Sequence, residues 1–297
     1  MQVFDAQKMQ QALFCYYCEF DAEGLIAAFH VPDQQPEEGI IKNFLSTKIR
    51  PSVFPSLLEA RAGSVEAKPH PGNWHADIAE WAAALRTVRQ AKGSYRIIEL
   101  GCGWGCWMAN MGVAARSQGL AVDLIGIEAD RYHLSSAEET LRLNGFSDRQ
   151  FTLHHGVAGP RSGKAVFPIH GNDGSHWGGK PIFDPTPEQL ARRDVQVLDC
   201  ITLADMSRGK PVDLLHIDVQ GGEYDYVLGS AEMIAKHVRR VLIGTHSRAI
   251  EGDLSTHFLE SGWRLEMERP AIAPPVNGQP KTRVDGVQMW ANPAQIG

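Results

Sequence analysis

Apolar and polar positions alternate in two patterns through most of the chain. Short apolar-rich runs at residues 95–100, 122–127, 151–157, 212–217 and 240–245 have the length of buried strands. Between them lie segments of helical period. Ile78, Trp81, Ala82, Leu85 and Val88 recur at i, i+3, i+4, i+7 and i+10, one face of a helix. Residues 106–116, 132–143 and 227–237 read as further helices, the first closed by Gly119 and the second by Asn144-Gly145. Strands separated by helices predict a mostly parallel sheet covered on both faces. The last two strands, at 263–268 and 286–290, have only a Pro- and Gly-containing stretch (270–280) between them, which predicts an antiparallel pair. The expected fold is α/β and Rossmann-like: a seven-stranded, mostly parallel sheet ending in an antiparallel hairpin.

Residues 1–72 do not share this rhythm. Leu13, Phe14, Tyr17, Phe20, Leu25 and Phe29 suggest helical pieces, and Pro51, Pro55, Pro69 and Pro71 predict loops. We read this segment as an N-terminal helical and loop extension or lid, followed by the main domain at 73–297. Its apolar content offers a contact for a homo-oligomer. With 297 residues, 43% apolar and 22% charged, the chain can bury a full core, which excludes disorder and a disulfide-framework miniprotein. Lys and Arg number 29 against 35 Asp and Glu, a net charge of −6 that disfavours nucleic acid or an anionic membrane as partner. No apolar run reaches the ~18 residues of a membrane span. The first residues lack the basic-then-apolar order of a secretory leader. Five cysteines, an odd count, then predict reduced thiols and a cytoplasmic location. Cys15 and Cys18 have the spacing of half a zinc site without a second half, and we read them as plain thiols.

The first strand ends in Glu99-Leu100-Gly101-Cys102-Gly103-Trp104-Gly105 and opens a helix. Glycines there allow a tight turn and bring a ligand against bare backbone and free helix N–H groups. The Gly-x-Gly-x-Gly spacing is one residue tighter than that of nicotinamide and flavin binders. The next strand ends in a carboxylate, Glu128, placed to accept both ribose hydroxyls of an adenosine cofactor. Gly156 and Val157, leaving the third strand, would lie beside the adenine.

These residues resemble motif I and its partner acid in S-adenosylmethionine-dependent methyltransferases, whose sheet also ends in an antiparallel hairpin. A longer stretch narrows the resemblance. Asp213-Leu214-Leu215-His216-Ile217-Asp218-Val219-Gln220-Gly221-Gly222-Glu223, followed by Val227-Leu228, is similar to the signature of FkbM-type methyltransferases. Two departures stand out: His216 replaces a common Lys, and Gln220 replaces a common acid. The fifth strand ends Ile243-Gly244-Thr245-His246-Ser247, with Gly244 in the place of an acid and His246 retained. These versions look like a bacterial branch of the family associated with polysaccharide genes. The resemblance spans about 73–292 and leaves the N-terminal segment unexplained. It implies S-adenosylmethionine as cofactor, with Glu99, Gly101, Cys102, Gly103, Trp104, Gly105, Glu128, Ala129, Gly156, Val157 and Asp218 around it. It also implies a small-molecule or glycan acceptor, methylated on a sugar hydroxyl.

An alcohol needs a base within hydrogen-bond reach to attack the cofactor's methyl group. His246 is the first candidate, because neutral imidazole suits that work near neutral pH, and Asp218 is its rival. His216 reads as packed. Gln220, His176 and Trp177 are the candidate acceptor contacts; the last two belong to a polar loop, residues 171–179, suited to carry a sugar. Trp74 reads as packing. With Gln220 and Gly244 in acid positions, only Asp218 clearly remains as a metal ligand, with Glu223 or Glu251 as supplements, so no metal is assigned. The alternatives are an amine or carboxylate acceptor on a small metabolite, a non-catalytic methyltransferase-like binding subunit, and a nicotinamide oxidoreductase. The glycine spacing and terminal hairpin disfavour the last.

Overall fold

The computed structural model describes residues 6–169 and 177–296. Its central sheet is built as the apolar runs predict. The core strands are β2 (Ser94–Leu100), β3 (Ala121–Glu128), β4 (Phe151–His155), β9 (Leu214–Ile217), β10 (Arg240–Thr245), β11 (Arg264–Arg269) and β12 (Gly286–Ala291). Across the sheet they run β11, β12, β10, β9, β2, β3, β4. The five central strands are parallel, and β12 inserts antiparallel between β10 and β11. An eighth strand, β1 (Tyr17–Cys18), adds to β11 from the N-terminal segment. Helices α1 (Ile78–Gln90), α2 (Cys106–Ser117), α3 (Arg131–Leu143), α4 (Glu223–Gly229), α5 (Ala231–His237) and α6 (Arg248–Glu260) accompany it. Leu100, Glu128, His155, Ile217 and Thr245 therefore end at one edge of the sheet, the place where open parallel sheets bind ligands.

Four local features differ from the sequence reading, each for a physical reason. The third strand stops at His155, and Val157–Ala158 (β5) turns away to pair with Val195–Ile201 (β8). With Gly163–Pro168 (β6) and Ile182–Phe183 (β7), these make a second sheet of four short strands. Its pattern is too broken to read, because one face packs on a small core of Ala129, Val157, Ala165, Phe167, Leu198 and Cys200 while Val197, Ile182 and Phe183 stay exposed. The helix expected over 227–237 starts at Glu223 and divides at Gly229 and Ser230, two weak helix formers. Helix α6 escaped notice because its buried face, Glu251, Leu254 and Phe258, carries a charge in its first turn.

The N-terminal segment is part of the main core. Ile26, Phe29, Ile41, Phe44 and Ile49 are buried in one cluster with Trp81, Leu85 and Trp107. Phe44 meets Trp81 edge to face at 4.9 Å. All five cysteines are free thiols. Among the described residues no helix is long and apolar enough to cross a membrane.

One buried ion pair fastens α1 to the terminal hairpin. Asp77 caps α1 in a reciprocal box with Glu80 and also accepts from Nε of Arg269. The side chains of Arg269 and Asp77 are 2% and 5% exposed. Arg269 further donates to the carbonyls of Pro270 (3.1 Å) and Asp285 (2.6 Å), which fixes the loop between β11 and β12. Asp77→Ala leaves the guanidinium buried without its counter-charge, a loss of about 3–5 kcal/mol. Urea denaturation should show a lower midpoint, and Asp77→Asn with Arg269→Met should recover part of it.

Candidate active site

A cavity of about 920 Å³ opens at the carboxyl edge of the parallel strands. That is ample for a nucleoside cofactor and a small acceptor together. Its floor is the glycine loop. Gly101 has φ +68°, and a Cβ there would stand 2.4 Å from the carbonyl oxygen of Asp218, so only glycine lets the two loops touch. Gly101 and Cys102 both donate backbone N–H groups to the Ile127 carbonyl at 3.0 Å, which ties the loop to β3. Gly103, at φ +51°, lies under the Trp177 ring, which a Cβ would approach to 2.9 Å.

Buried carboxylates shape the loops around this floor. Glu99, 1% exposed, accepts from Met108 N (2.9 Å) and Trp107 N (3.2 Å), and so holds the start of α2. Burial pushes its pKa up to about 8 against those two amides. Glu128, 8% exposed, accepts from Gly103 N (2.9 Å) and Asp130 N (2.8 Å), and burial raises its pKa too. Each of its oxygens keeps a second lone pair for a ligand hydroxyl.

All the residues expected around the cofactor border this cavity except Gly105, which is packed behind the loop against Ala137. Cys102 turns its sulfur inward toward Gly126, so the backbone faces the cavity. Trp104 is 4% exposed and stacks on Trp74 at 5.8 Å. Gly156, Val157 and Ala129 form the wall beside the second sheet. Gln220 and Trp177 line the cavity as well. Trp177 stacks on His133 at 4.0 Å and tilts against Phe54 at 5.8 Å. His176 lies outside the described residues. His216 is buried against Trp107, and burial drives its pKa down to about 3, which keeps it neutral.

His246 is not where the sequence suggested. It does not border the cavity; it stands behind Asp218, which does. Its Nδ1 is 2.9 Å from Glu223 Oε1, and its Nε2 is 3.5 Å from Asp218 Oδ1 and 3.9 Å from Asp285 Oδ2. Burial would lower its pKa, but the Glu223 hydrogen bond and the carboxylates of Asp218 and Asp285 outweigh this and lift it to about 9. With both ring nitrogens facing carboxylates, this imidazole is engaged, and the group presented to a substrate is Asp218. The Asp218 side chain keeps 43% of its surface, and its depth raises its pKa to about 6. Glu223 is fully buried, accepts from Gly221 N (2.8 Å) and Val219 N (3.2 Å), and so sets the loop that carries Gln220. Gln220 itself sits at φ +59°, a conformation rare outside glycine and found where a side chain must be aimed. Glu251 is occupied elsewhere, accepting from Thr245 Oγ1 (3.1 Å) and Ala271 N (2.6 Å).

The cavity lining is strongly acidic. Glu80, Glu99, Glu128, Asp130, Asp218 and Asp225 face two cations, Lys180 and Arg161, and Arg161 is already paired with Asp184. Such a site favours a cationic ligand.

The chain is similar to known proteins over much of its length. The family described as Methyltransferase FkbM domain matches residues 93–263, more than half of the chain. A protein of Jannaschia sp. (strain CCS1), named "Putative methyltransferase", is 49% identical over 279 residues, which cover 93% of this chain and 97% of that one. Among solved structures, methyltransferase FkbM from Methylobacillus flagellatus KT is 15% identical with a TM-score of 0.47, over 72% of this chain and 54% of that one. The chain thus spans about half the length of that solved relative. Precorrin-6y C5,15-methyltransferase from Geobacter metallireducens GS-15 is 9% identical with a TM-score of 0.39, over 70% and 86% of the two chains. The chain belongs to the FkbM methyltransferase family.

Proposed function

We propose that the enzyme transfers the methyl group of S-adenosylmethionine to a hydroxyl of a sugar or glycan intermediate. The observation that carries this reading is the acidic, glycine-floored cavity with a single carboxylate, Asp218, where the glycine loop meets the end of β9. The cofactor carries a sulfonium and an ammonium, which the lining carboxylates suit. Glu128 would take the ribose hydroxyls, and the wall at Gly156 and Val157 would receive the adenine. The cofactor supplies the activated methyl group; the protein aligns the acceptor and keeps water out.

A hydroxyl acceptor needs a group to receive its proton, and Asp218 is the carboxylate open to it. As the S–CH3 bond breaks and the O–CH3 bond forms, the hydroxyl proton passes to Asp218, and the cofactor leaves as S-adenosylhomocysteine. His246, held by Glu223, orients Asp218 from behind. Gln220 and Trp177 stand on the acceptor side, an amide for hydroxyls and a ring for the C–H face of a sugar. An amine acceptor would make little use of a carboxylate so placed, and a non-catalytic binding subunit would make none.

Two outcomes test this. Glu128→Ala removes a charge-assisted hydrogen bond worth ~1.5–3 kcal/mol, so calorimetry should show S-adenosylhomocysteine binding ~10–100-fold more weakly, with NADH not bound by either protein. Unchanged affinity would remove Glu128 from the ribose. Asp218→Asn should cut turnover ~10²–10⁴-fold on a hydroxyl acceptor identified by mass spectrometry of the methylated product. Transfer to amines alone, with normal rate in Asp218→Asn, would overturn the hydroxyl assignment.

A further inference from the structure

Negative charge is unbalanced behind Asp218. Three carboxylates, Asp218, Glu223 and Asp285, converge on the single imidazole of His246. Among the described residues no Lys or Arg pairs with any of the three. Even an imidazolium leaves an excess of two negative charges. Two oxygens of the cluster, Asp218 Oδ1 and Glu223 Oε2, are buried with no hydrogen-bond partner, and the Glu223 side chain is 0% exposed. A buried oxygen left without a partner is costly and asks for a ligand.

The spacing fits one ion. Two ligand atoms each about 2.0–2.2 Å from a cation stand no more than ~4.4 Å apart. Nε2 of His246 is 3.5 Å from Asp218 Oδ1 and 3.9 Å from Asp285 Oδ2. One ligand atom each from Asp218, Glu223 and His246 likewise lie within 4.8 Å of one another. Glu223 holds Nδ1 at 2.9 Å, the arrangement in which a buried carboxylate fixes a histidine so that its other nitrogen faces a metal. Asp285 is fixed in turn, because its carbonyl accepts from buried Arg269. Asp285, just before the last strand, brings a third carboxylate to His246 from the terminal hairpin.

We propose that Asp218, Glu223 through its unpartnered Oε2, and His246 bind one divalent cation, with Asp285 adding a third carboxylate's charge beside His246. One imidazole and two carboxylates suit a first-row ion such as Mn²⁺ over Ca²⁺. Asp218 is the one of these residues that borders the cavity, so the ion fixes its carboxylate from behind and leaves its other oxygen for the hydroxyl that reacts. This last use rests on the methyl-transfer reading; the cation site does not.

The test is titration of the EDTA-treated full chain with Mn²⁺, with free ion read by electron paramagnetic resonance and no cofactor or acceptor present. The expected result is about one Mn²⁺ per chain, weakened ~10–100-fold by Glu223→Gln and by a smaller factor, through the lost charge, by Asp285→Asn. Asp285 is 55% exposed and its backbone carbonyl survives the change, so Asp285→Asn should fold and bind S-adenosylhomocysteine with normal affinity. No Mn²⁺ bound by the unaltered chain at ~1 mM ion, or equal affinity in both variants, would overturn the site. Stoichiometric Mn²⁺ binding without any S-adenosylhomocysteine binding would uphold the site and overturn the methyl-transfer reading instead.

Discussion

The cavity exists because buried carboxylates accept backbone N–H groups from the loops around it. Glu99 holds the start of α2, Glu128 holds Gly103 to the end of β3, and Glu223 holds the turn after β9. Each lies at the carboxyl edge of the sheet, and each satisfies amides that the end of a strand or the start of a helix leaves unpaired. A carboxylate buried in this way costs free energy unless its hydrogen bonds are made, so the loops and the acids fix one another. The same arrangement concentrates negative charge around a glycine floor. Loop geometry and the composition of the lining therefore have one cause: Glu99 and Glu128, which shape the backbone, also border the cavity.

The terminal hairpin is coupled to this edge. Arg269 joins the cap of α1 to the carbonyl of Asp285, and Asp285 reaches back to His246. The hairpin so brings a third carboxylate to His246 as well as covering the side of the sheet. The N-terminal segment contributes in parallel. Its strand β1 extends the sheet beside β11, and Phe54 and Leu57 line the cavity mouth opposite the second sheet.

Most of the central fold was legible because a strand buried on both faces is mostly apolar, as at Ile97-Ile98 in β2, Leu124-Ile125 in β3, Leu214-Leu215 in β9 and Val241-Leu242-Ile243 in β10. The glycine loop and Glu128 were legible for a related reason: a strand–turn–helix in which Gly101 touches the Asp218 carbonyl and Glu128 accepts from Gly103 N leaves little freedom in residue type. The second sheet was not legible. Its strands are short, half-exposed and matched across gaps, as in Val197 beside Val166, so no periodicity survives in the chain order. The N-terminal segment, read as an extension or lid with helical pieces, shows only part of its packing in the sequence. Ile26 and Phe29 keep a helical spacing, but Phe44 joins the core shared with Trp81 and Trp107 from a turn that has no period of its own.

His246 shows what a residue type can and cannot disclose. A histidine at a strand end beside an aspartate fits a base, and the sequence offers nothing against it. The structure puts Glu223 on its Nδ1, two carboxylates near its Nε2 and Asp218 between the ring and the cavity, which turns it toward an orienting or ligating role. The deciding partner is Asp285, which lies 39 positions further along the chain and arrives only because β12 inserts between β10 and β11. Spacing within a motif cannot report a residue delivered by topology. In this fold the strand that departs from parallel order is the one that completes the cluster at His246, so the chemistry at Asp218 depends on the far end of the chain as much as on the signature around it.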